Sequence, residues 1–145
     1  MRIVVCGSIT ASEKLIQIAK KLESLGFEVE LPYTTKKIMN GEITLEDYCS
    51  TKEKNGDNCF REQASEDLIK QYYQEICKSD AILVVNIAKQ GIKNYVGGNA
   101  LMEIAFAYVL GKKIYLLNGI PTMGYSDEII AMKPIVINGD LAKIK

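Results

Sequence analysis

Five short apolar segments with the length of β-strands alternate with longer stretches of helical periodicity along this chain. The strand-like segments are residues 2–6, 27–31, 81–85, 114–117 and 134–137. Strands that alternate with helices are typical of a parallel sheet covered by helices on both faces. We therefore predict an α/β fold, a three-layer sandwich with a mostly parallel five-stranded sheet of flavodoxin-like or Rossmann-like type.

One segment interrupts this alternation. The chain has 145 residues, enough for a single domain with its own core, and we predict one domain over residues 1–145. Residues 32–64 are polar and charged, and we interpret them as a long loop insertion with a short helix at residues 45–54. An excursion of this length is either a functional lid or a solvated insertion.

Composition excludes several classes of protein. Lysine plus arginine and aspartate plus glutamate both number 18, so a net charge of zero argues against a nucleic-acid partner. No apolar run approaches the roughly 18 residues of a membrane span. The first residues, MRIVVCGSIT, lack the long apolar region of a signal peptide. We expect a cytoplasmic protein with neither nucleic acid nor membrane as a partner.

Metal and imidazole chemistry are also excluded by the residue types. The four cysteines form no C-x-x-C pair, and the chain contains no histidine. A zinc site or a cysteine–histidine catalytic pair therefore lacks its ligands or its base. We expect no metal and no cofactor. Any acid–base catalysis would have to use carboxylates, lysine, tyrosine or cysteine.

Three loops follow apolar strands and are candidates for a binding site. They are residues 7–10, 86–99 and 118–125, and in sheets of this type ligands bind at the carboxyl ends of the strands, where the strand order reverses. Gly7 and Ser8 open a helix whose free N–H groups can hold a phosphate. Gly97 and Gly98 precede a second helix and permit close approach of a ligand. The dinucleotide and P-loop glycine motifs are not found in the sequence.

Glu103 is the most informative residue of the chain. Every other residue from 100 to 110 is apolar or aromatic, so we expect this helix to be buried on most sides, and a second subunit is one surface that could cover it. A carboxylate in apolar surroundings is costly unless it is hydrogen-bonded, paired or functional. The alternative is a surface glutamate near a helix N-terminus, where the helix dipole favours negative charge.

Several of these residues form a pattern that resembles a known superfamily. The pattern runs through Val85-Asn86, Gly98-Asn99, the segment EIAFAY at residues 103–108, and Gly111-Lys112. It resembles the nucleoside 2-deoxyribosyltransferase-like superfamily, which includes the deoxynucleoside 5'-monophosphate N-glycosidases. The opening RIVVCGSIT is similar to the first strand and turn of that superfamily. The resemblance covers most of the chain in outline, and its specific part lies between residues 85 and 112.

The resemblance implies cleavage or transfer at the N-glycosidic bond of a (deoxy)nucleoside or its 5'-monophosphate. Glu103 matches the superfamily's nucleophile, and Ser8 matches a phosphate-binding turn. The substrate would be a small molecule, no cofactor would be needed, and the protein would form a homodimer or a higher homo-oligomer. The residues expected to bind substrate are Gly7, Ser8, Asn86, Gly98, Asn99 and Asn118.

The chain departs from the superfamily pattern at several positions, which keeps two alternatives open. Asn86 stands where an aspartate is usual, Asn99 replaces a small hydroxyl residue, and the loop at residues 87–96 is longer and more basic, with Lys89 and Lys93. The segment VGGNALME also resembles the phosphoribohydrolases of the lysine-decarboxylase-like family. The other alternative is a non-catalytic α/β module that binds a nucleotide.

Overall fold

A single sheet of five parallel strands forms the centre of the protein in a computed structural model that describes residues 1–55 and 67–145. The strand order is β2-β1-β3-β4-β5, and every neighbouring pair is parallel. This is the flavodoxin-like order, which reverses direction between β1 and β3. The strands are β1 (Arg2–Cys6), β2 (Glu28–Glu30), β3 (Ala81–Val84), β4 (Lys113–Leu116) and β5 (Ile135–Val136).

Helices flank the sheet on both faces, which confirms the predicted three-layer α/β fold. Two short 3-10 turns, at Ile9–Ala11 and Leu141–Lys143, accompany them. None of the helices in the described ranges combines the length and the apolar character needed to cross a bilayer, and the expected cytoplasmic location stays a prediction. The helices are α1 (Ser12–Ser24), α2 (Tyr33–Met39), α3 (Leu45–Asn55), α4 (Leu68–Lys78), α5 (Gly98–Val109) and α6 (Ser126–Ala131).

The segment predicted as a loop insertion holds two helices, α2 and α3, in the part that the structure describes. Helix α3 matches the helix predicted at residues 45–54, whereas α2 was not predicted. A buried hydrogen bond explains why α2 is held in place: the hydroxyls of Ser12 and Thr35 lie 3.0 Å apart, and both side chains are buried between α1 and α2. Residues 56–64 of the predicted insertion lie outside the described residues.

The core is divided into two layers by the sheet, because successive side chains of a strand point to opposite faces. Ile3, Val5 and Leu83 are fully buried on the face that α1 covers. Val4 and Cys6 are fully buried on the opposite face, with side chains of α4, α5 and α6. Each of the two layers therefore supplies different residues to the edge where β1 and β3 end.

Candidate functional site

The loops after β1 and β3 meet at the point where the strand order reverses, and a pocket opens between them. In sheets with this order, that position is where ligands bind. The first loop contributes Ser8 and Thr10, and the second contributes Lys89 and Tyr95. Ala11, Val85, Ile87 and Ala88 complete the lining. The structure thus brings together two of the three loops that the sequence singled out.

The polar side of this pocket consists of one ammonium group and two hydroxyls. The Nζ atom of Lys89 donates a hydrogen bond of 2.8 Å to the hydroxyl of Ser8. The hydroxyls of Ser8 and Thr10 also lie 2.8 Å apart. Lys89 Nζ is 5.6 Å from the centre of the Tyr95 ring, within the range of a cation–π contact. The pocket therefore presents a positive charge and hydroxyl groups to a ligand.

A tight hairpin holds Lys89 in this position. The backbones of Lys89 and Ile92 exchange two hydrogen bonds, of 3.0 and 2.9 Å. Gln90 and Gly91 between them have φ angles of 52° and 74°, and two successive positive φ values are typical of a type I′ turn. The lysine is therefore carried by a turn with defined geometry and not by an open loop.

Gly7 permits the close packing behind the pocket. A Cβ atom at this position would lie 3.1 Å from the side chain of Leu15 and 3.3 Å from the carbonyl oxygen of Val85. Both distances are shorter than ordinary van der Waals contacts, so a larger residue would push α1 and the end of β3 apart. The structure thus gives Gly7 a packing role next to the loop that carries Ser8.

Asn86 connects the loop after β3 to the loop after β4. Its side chain is completely buried. The Nδ2 atom donates to the carbonyl oxygen of Gly119 at 2.9 Å, and Oδ1 accepts from the backbone N–H of Asn118 at 2.9 Å. The side chain of Asn118 in turn donates to the carbonyl oxygen of Asn86 at 2.9 Å. Asn86 and Asn118 are therefore brought together, with their amides used within the protein.

Glu103 lies in the second turn of α5, on the same side of the sheet as Cys6. Part of its surface is exposed, yet protein atoms enclose so much of the side chain that burial raises the pKa of its carboxyl from 4.5 to about 8. A hydrogen bond with the Cys6 thiol acts in the opposite direction and lowers that pKa. The carboxyl is consequently protonated in most molecules at neutral pH and ionises only a little above it.

Tyr72 of α4 completes the group around Glu103. Its hydroxyl donates a hydrogen bond of 2.5 Å to the carbonyl oxygen of Val5. Burial raises the pKa of this phenol well above its usual value, and the nearby Cys6 and Glu103 raise it further. Cys6, Tyr72 and Glu103 therefore form one enclosed group, in which Glu103 is the group that ionises nearest to neutral pH.

The pocket and the Glu103 group lie on opposite sides of the end of β1. Ala11, Val85 and Ile87 of the pocket belong to the α1 layer, whereas Cys6 belongs to the α5 layer. Cys6 and Ser8 are two residues apart, so their Cα atoms are within about 7 Å of each other. A ligand that crosses the end of β1 can therefore contact both groups, although Glu103 itself does not line the pocket.

Gly98 and Asn99 lie outside the pocket, at the exposed start of α5. Among the described residues, no atom lies within 4 Å of the position that a Cβ atom on Gly98 would take. Asn99 precedes Glu103 by four residues and so shares its helix face, one turn away. The substrate-binding roles of Gly98 and Asn99 stay predictions.

Sequence reasoning missed four members of the two groups. Lys89 was noticed only as a departure from a family pattern, and its place in a loop that follows a buried strand was the available signal. Tyr95 and Tyr72 carried no local signal, because their contacts depend on the packing of separate elements. Cys6 resembled an ordinary buried strand residue, and its contact with Glu103 is set by how α5 lies on the sheet.

Comparisons with known proteins returned few matches. No family model matches the sequence, and no curated protein matches it. Among solved structures, the chain is similar to that of the CMP N-glycosidase BcmB from Clostridium botulinum, with 17% sequence identity and a TM-score of 0.49. The similarity covers 95% of this chain and 90% of that one. Similarity at this level does not show the activity or the substrate of this chain, and both must be inferred from the residues of the site.

Proposed function

We propose that the protein cleaves or transfers at the N-glycosidic bond of a (deoxy)nucleoside or its 5'-monophosphate, with Glu103 as the nucleophile. The observation that carries this proposal is a largely enclosed carboxyl group beside the ligand-binding edge of the sheet. Enclosure of a carboxyl group without a cation is costly and marks candidates for function. The resemblance of residues 103–108 to a glycosyl-transfer motif assigns the reaction class.

The proposed reaction has two displacement steps at the anomeric carbon. The Glu103 carboxylate attacks that carbon, a glycosyl ester forms, and the carbon–nitrogen bond breaks with its electron pair leaving on the base, which takes up a proton. Water, or the nitrogen of a second base, then attacks the same carbon and gives up a proton, and the ester bond breaks to restore the carboxylate. A carboxylate in this place also stabilises the positive charge that develops on the sugar.

The raised pKa of Glu103 gives this proposal a defined pH dependence. Only the ionised carboxyl can act as a nucleophile, so the rate should rise with pH until Glu103 is ionised, at about pH 8. The Cys6 thiol favours the ionised form by its hydrogen bond. A rate that falls as pH rises through 8 would contradict the nucleophile role and indicate that Glu103 donates a proton.

The test is release of a free base. Purified protein is incubated with ribo- and deoxyribonucleosides and their 5'-monophosphates, with and without an acceptor base, and the products are separated by chromatography. We expect base release that falls at least 1,000-fold in Glu103→Gln, on the order of the loss when a nucleophile is removed. Glu23→Gln, an exposed glutamate of α1, is the matched control and should keep full activity.

The products distinguish the remaining alternatives. A new nucleoside in the tubes with acceptor base would identify a transferase, and base release alone would identify a hydrolase. Release only from ribonucleoside monophosphates would favour the phosphoribohydrolase alternative. No release from any substrate would contradict the proposal and leave the non-catalytic nucleotide-binding module.

We also infer that the protein forms a homodimer through an apolar stripe on α4 and α5. The stripe consists of Ile69, Tyr73, Met102, Phe106 and Val109. Tyr73 and Phe106 pack edge to face across the two helices with ring centres 5.1 Å apart. Val109 is 83% exposed and Ile69 is 56% exposed, and contiguous apolar surface of this kind is typical of protein interfaces.

A further inference from the structure

We propose that Lys89, in the pocket between the ends of β1 and β3, pairs with a substrate phosphate and makes the protein select a nucleoside 5'-monophosphate over the unphosphorylated nucleoside. The inference names the substrate class for the proposed function and rests on it. It is carried by the position of the pocket, by the chemistry of its lining and by the hairpin that holds the lysine. The family resemblance already implies a phosphate-binding turn at Ser8, whereas Lys89 lies in a loop that departs from the family pattern.

The lining of the pocket suits an anion. Its polar side chains are those of Ser8, Thr10, Lys89 and Tyr95, and none of the lining residues in the described ranges is acidic. The 3-10 turn Ile9–Ala11 and helix α1 begin beside these hydroxyls. The first turn of a helix carries the positive end of its dipole, which favours an anion nearby. A positive charge and hydroxyl groups thus come together in one pocket.

In the part of the chain that the structure describes, the ammonium of Lys89 has no anionic partner. It donates to the neutral Ser8 hydroxyl and lies near the Tyr95 ring. In residues 1–55 and 67–145, the ion pairs involve other cations, Arg2, Lys36, Lys70 and Lys78, and none includes Lys89. A partly enclosed ammonium that is paired only with neutral groups is available to an incoming anion.

The hairpin gives Lys89 the fixed position that selectivity requires. The type I′ turn at Gln90 and Gly91 holds the backbone of Lys89, and the backbone N–H of Tyr95 donates to the carbonyl oxygen of Ile87 at 3.1 Å, which closes the loop. Less side-chain and backbone freedom is lost on binding when the site is held in this way. A fixed lysine beside two hydroxyls therefore favours a dianionic phosphate over a neutral sugar hydroxyl.

The phosphate pocket and the nucleophile are arranged for one substrate. Ser8 and Cys6 lie two residues apart on either side of the end of β1, with the pocket on one side and the Glu103 group on the other. A nucleotide that crosses this edge places its phosphate with Lys89 and its sugar towards Glu103. The same nucleoside without phosphate would leave the ammonium of Lys89 without its anion.

The first test measures binding and needs no turnover. Melting temperatures of the full chain are recorded with a panel of 5'-monophosphates, with the matching nucleosides and with inorganic phosphate, all at constant ionic strength. The wild type should be stabilised by monophosphates more than by nucleosides, and Lys89→Gln should lose that difference. Lys93→Gln, an exposed lysine of the same loop, should behave like the wild type. Equal stabilisation by both ligand classes would overturn the inference.

The second test measures catalysis with the same variants. In Lys89→Gln, kcat/KM for the monophosphate should fall about 10- to 100-fold, the loss expected for one charge-assisted hydrogen bond. The loss for the matching nucleoside should be much smaller, and Lys89→Arg should restore part of the loss for the monophosphate. Equal losses on both substrates would overturn the selective role of Lys89.

The two tests separate failure of this inference from failure of the proposed function. A Lys89-dependent preference for monophosphates without any base release would keep the phosphate site and contradict the glycosidase or transferase activity. Base release from nucleosides and monophosphates alike, unchanged in Lys89→Gln, would keep the activity and overturn the phosphate site. Stabilisation by inorganic phosphate and not by any nucleotide would identify a site for free phosphate and also overturn the inference.

Discussion

Enclosure of the Glu103 carboxyl links the proposed chemistry to the stability of the fold. An unfolded chain keeps this group in water, with a pKa near the usual value of 4.5, whereas burial in the folded protein raises the pKa to about 8. Below pH 4.5 the group is protonated in both states, and its ionisation does not affect folding. Between the two values, the unfolded chain has released the proton and the folded protein has kept it, so stability falls as pH rises.

We therefore predict that Glu103→Gln changes how stability depends on pH. At pH 5 the variant and the wild type should unfold at similar urea concentrations, because this pH lies only about half a unit above the pKa of the unfolded carboxyl and little stability has yet been lost. The wild type should lose up to about 1.4 kcal/mol per pH unit between these pKa values, so at pH 9 the variant should be more stable by on the order of a few kcal/mol.

Urea unfolding at pH 5, 7 and 9 measures this difference. Glu23→Gln, at an exposed position of α1, should follow the wild type at each pH and serves as the control for removing one carboxylate. A Glu103→Gln variant that is equally stable relative to the wild type at pH 5 and pH 9 would show that the carboxyl is not enclosed. That result would remove the physical basis of its proposed role.

At the scale of elements, the loops after β3 and β4 depend on one amide. Asn86 donates through Nδ2 to the carbonyl oxygen of Gly119 and accepts through Oδ1 from the N–H of Asn118. An aspartate, the residue usual at this position in the resembled superfamily, has no donor when ionised. It would place a buried negative charge against a carbonyl oxygen, which explains why an amide suits this position better.

Replacement of Asn86 by aspartate should consequently destabilise the protein. We expect a loss of about 2–3 kcal/mol at pH 7, the cost of a buried acceptor that has lost its donor, with part of the loss recovered at low pH, where an aspartic acid can donate. Chemical unfolding measures it, and Asn99→Asp at the exposed start of α5 is the matched control. An Asn86→Asp protein as stable as the wild type would contradict the proposed connection between the loops.

Elements with strong periodicity could be predicted from the sequence, and the seven-residue helix α2 could not. Strand β1 has the predicted bounds, and α5 lies within two residues of its predicted ends, because apolar patterning and a following glycine define them. Helix α2 has only seven residues, and its one buried side chain, Thr35, is polar. Its sequence therefore lacks the apolar periodicity from which a helix is predicted. The turn at Gln90 could not be predicted either, because nothing in the sequence indicates that a glutamine adopts a positive φ angle.

The candidate site was predictable to the extent that topology determines it. The rule that ligands bind where parallel strands end identified the loops of Ser8 and Asn86, and the apolar context of Glu103 identified its enclosure. The contacts between elements were not predictable: the 2.8 Å bond from Lys89 to Ser8 joins residues 81 positions apart. Such contacts depend on how complete loops and helices pack, which local patterns do not encode.

At the scale of the whole molecule, the exposed apolar stripe on α4 and α5 is the feature that a monomer leaves unexplained. Met102 and Val109 lie seven residues apart on α5 and so share one face, next to Ile69 and Tyr73 of α4. Helix α5, which forms part of this face, also carries Glu103. A second copy that covers the stripe would exclude water from one side of this helix and strengthen electrostatic interactions near the carboxyl.

We predict that the wild type is a homodimer in solution and that Val109→Glu, a charge at the most exposed position of the stripe, shifts it to monomer. Light scattering coupled to size-exclusion chromatography over a range of protein concentrations measures the mass. Leu25→Glu is the matched control, because Leu25 is also exposed, at 56%, but follows α1 in the other layer. A monomeric wild type, or a Val109→Glu protein that stays dimeric, would show that the stripe is not the interface.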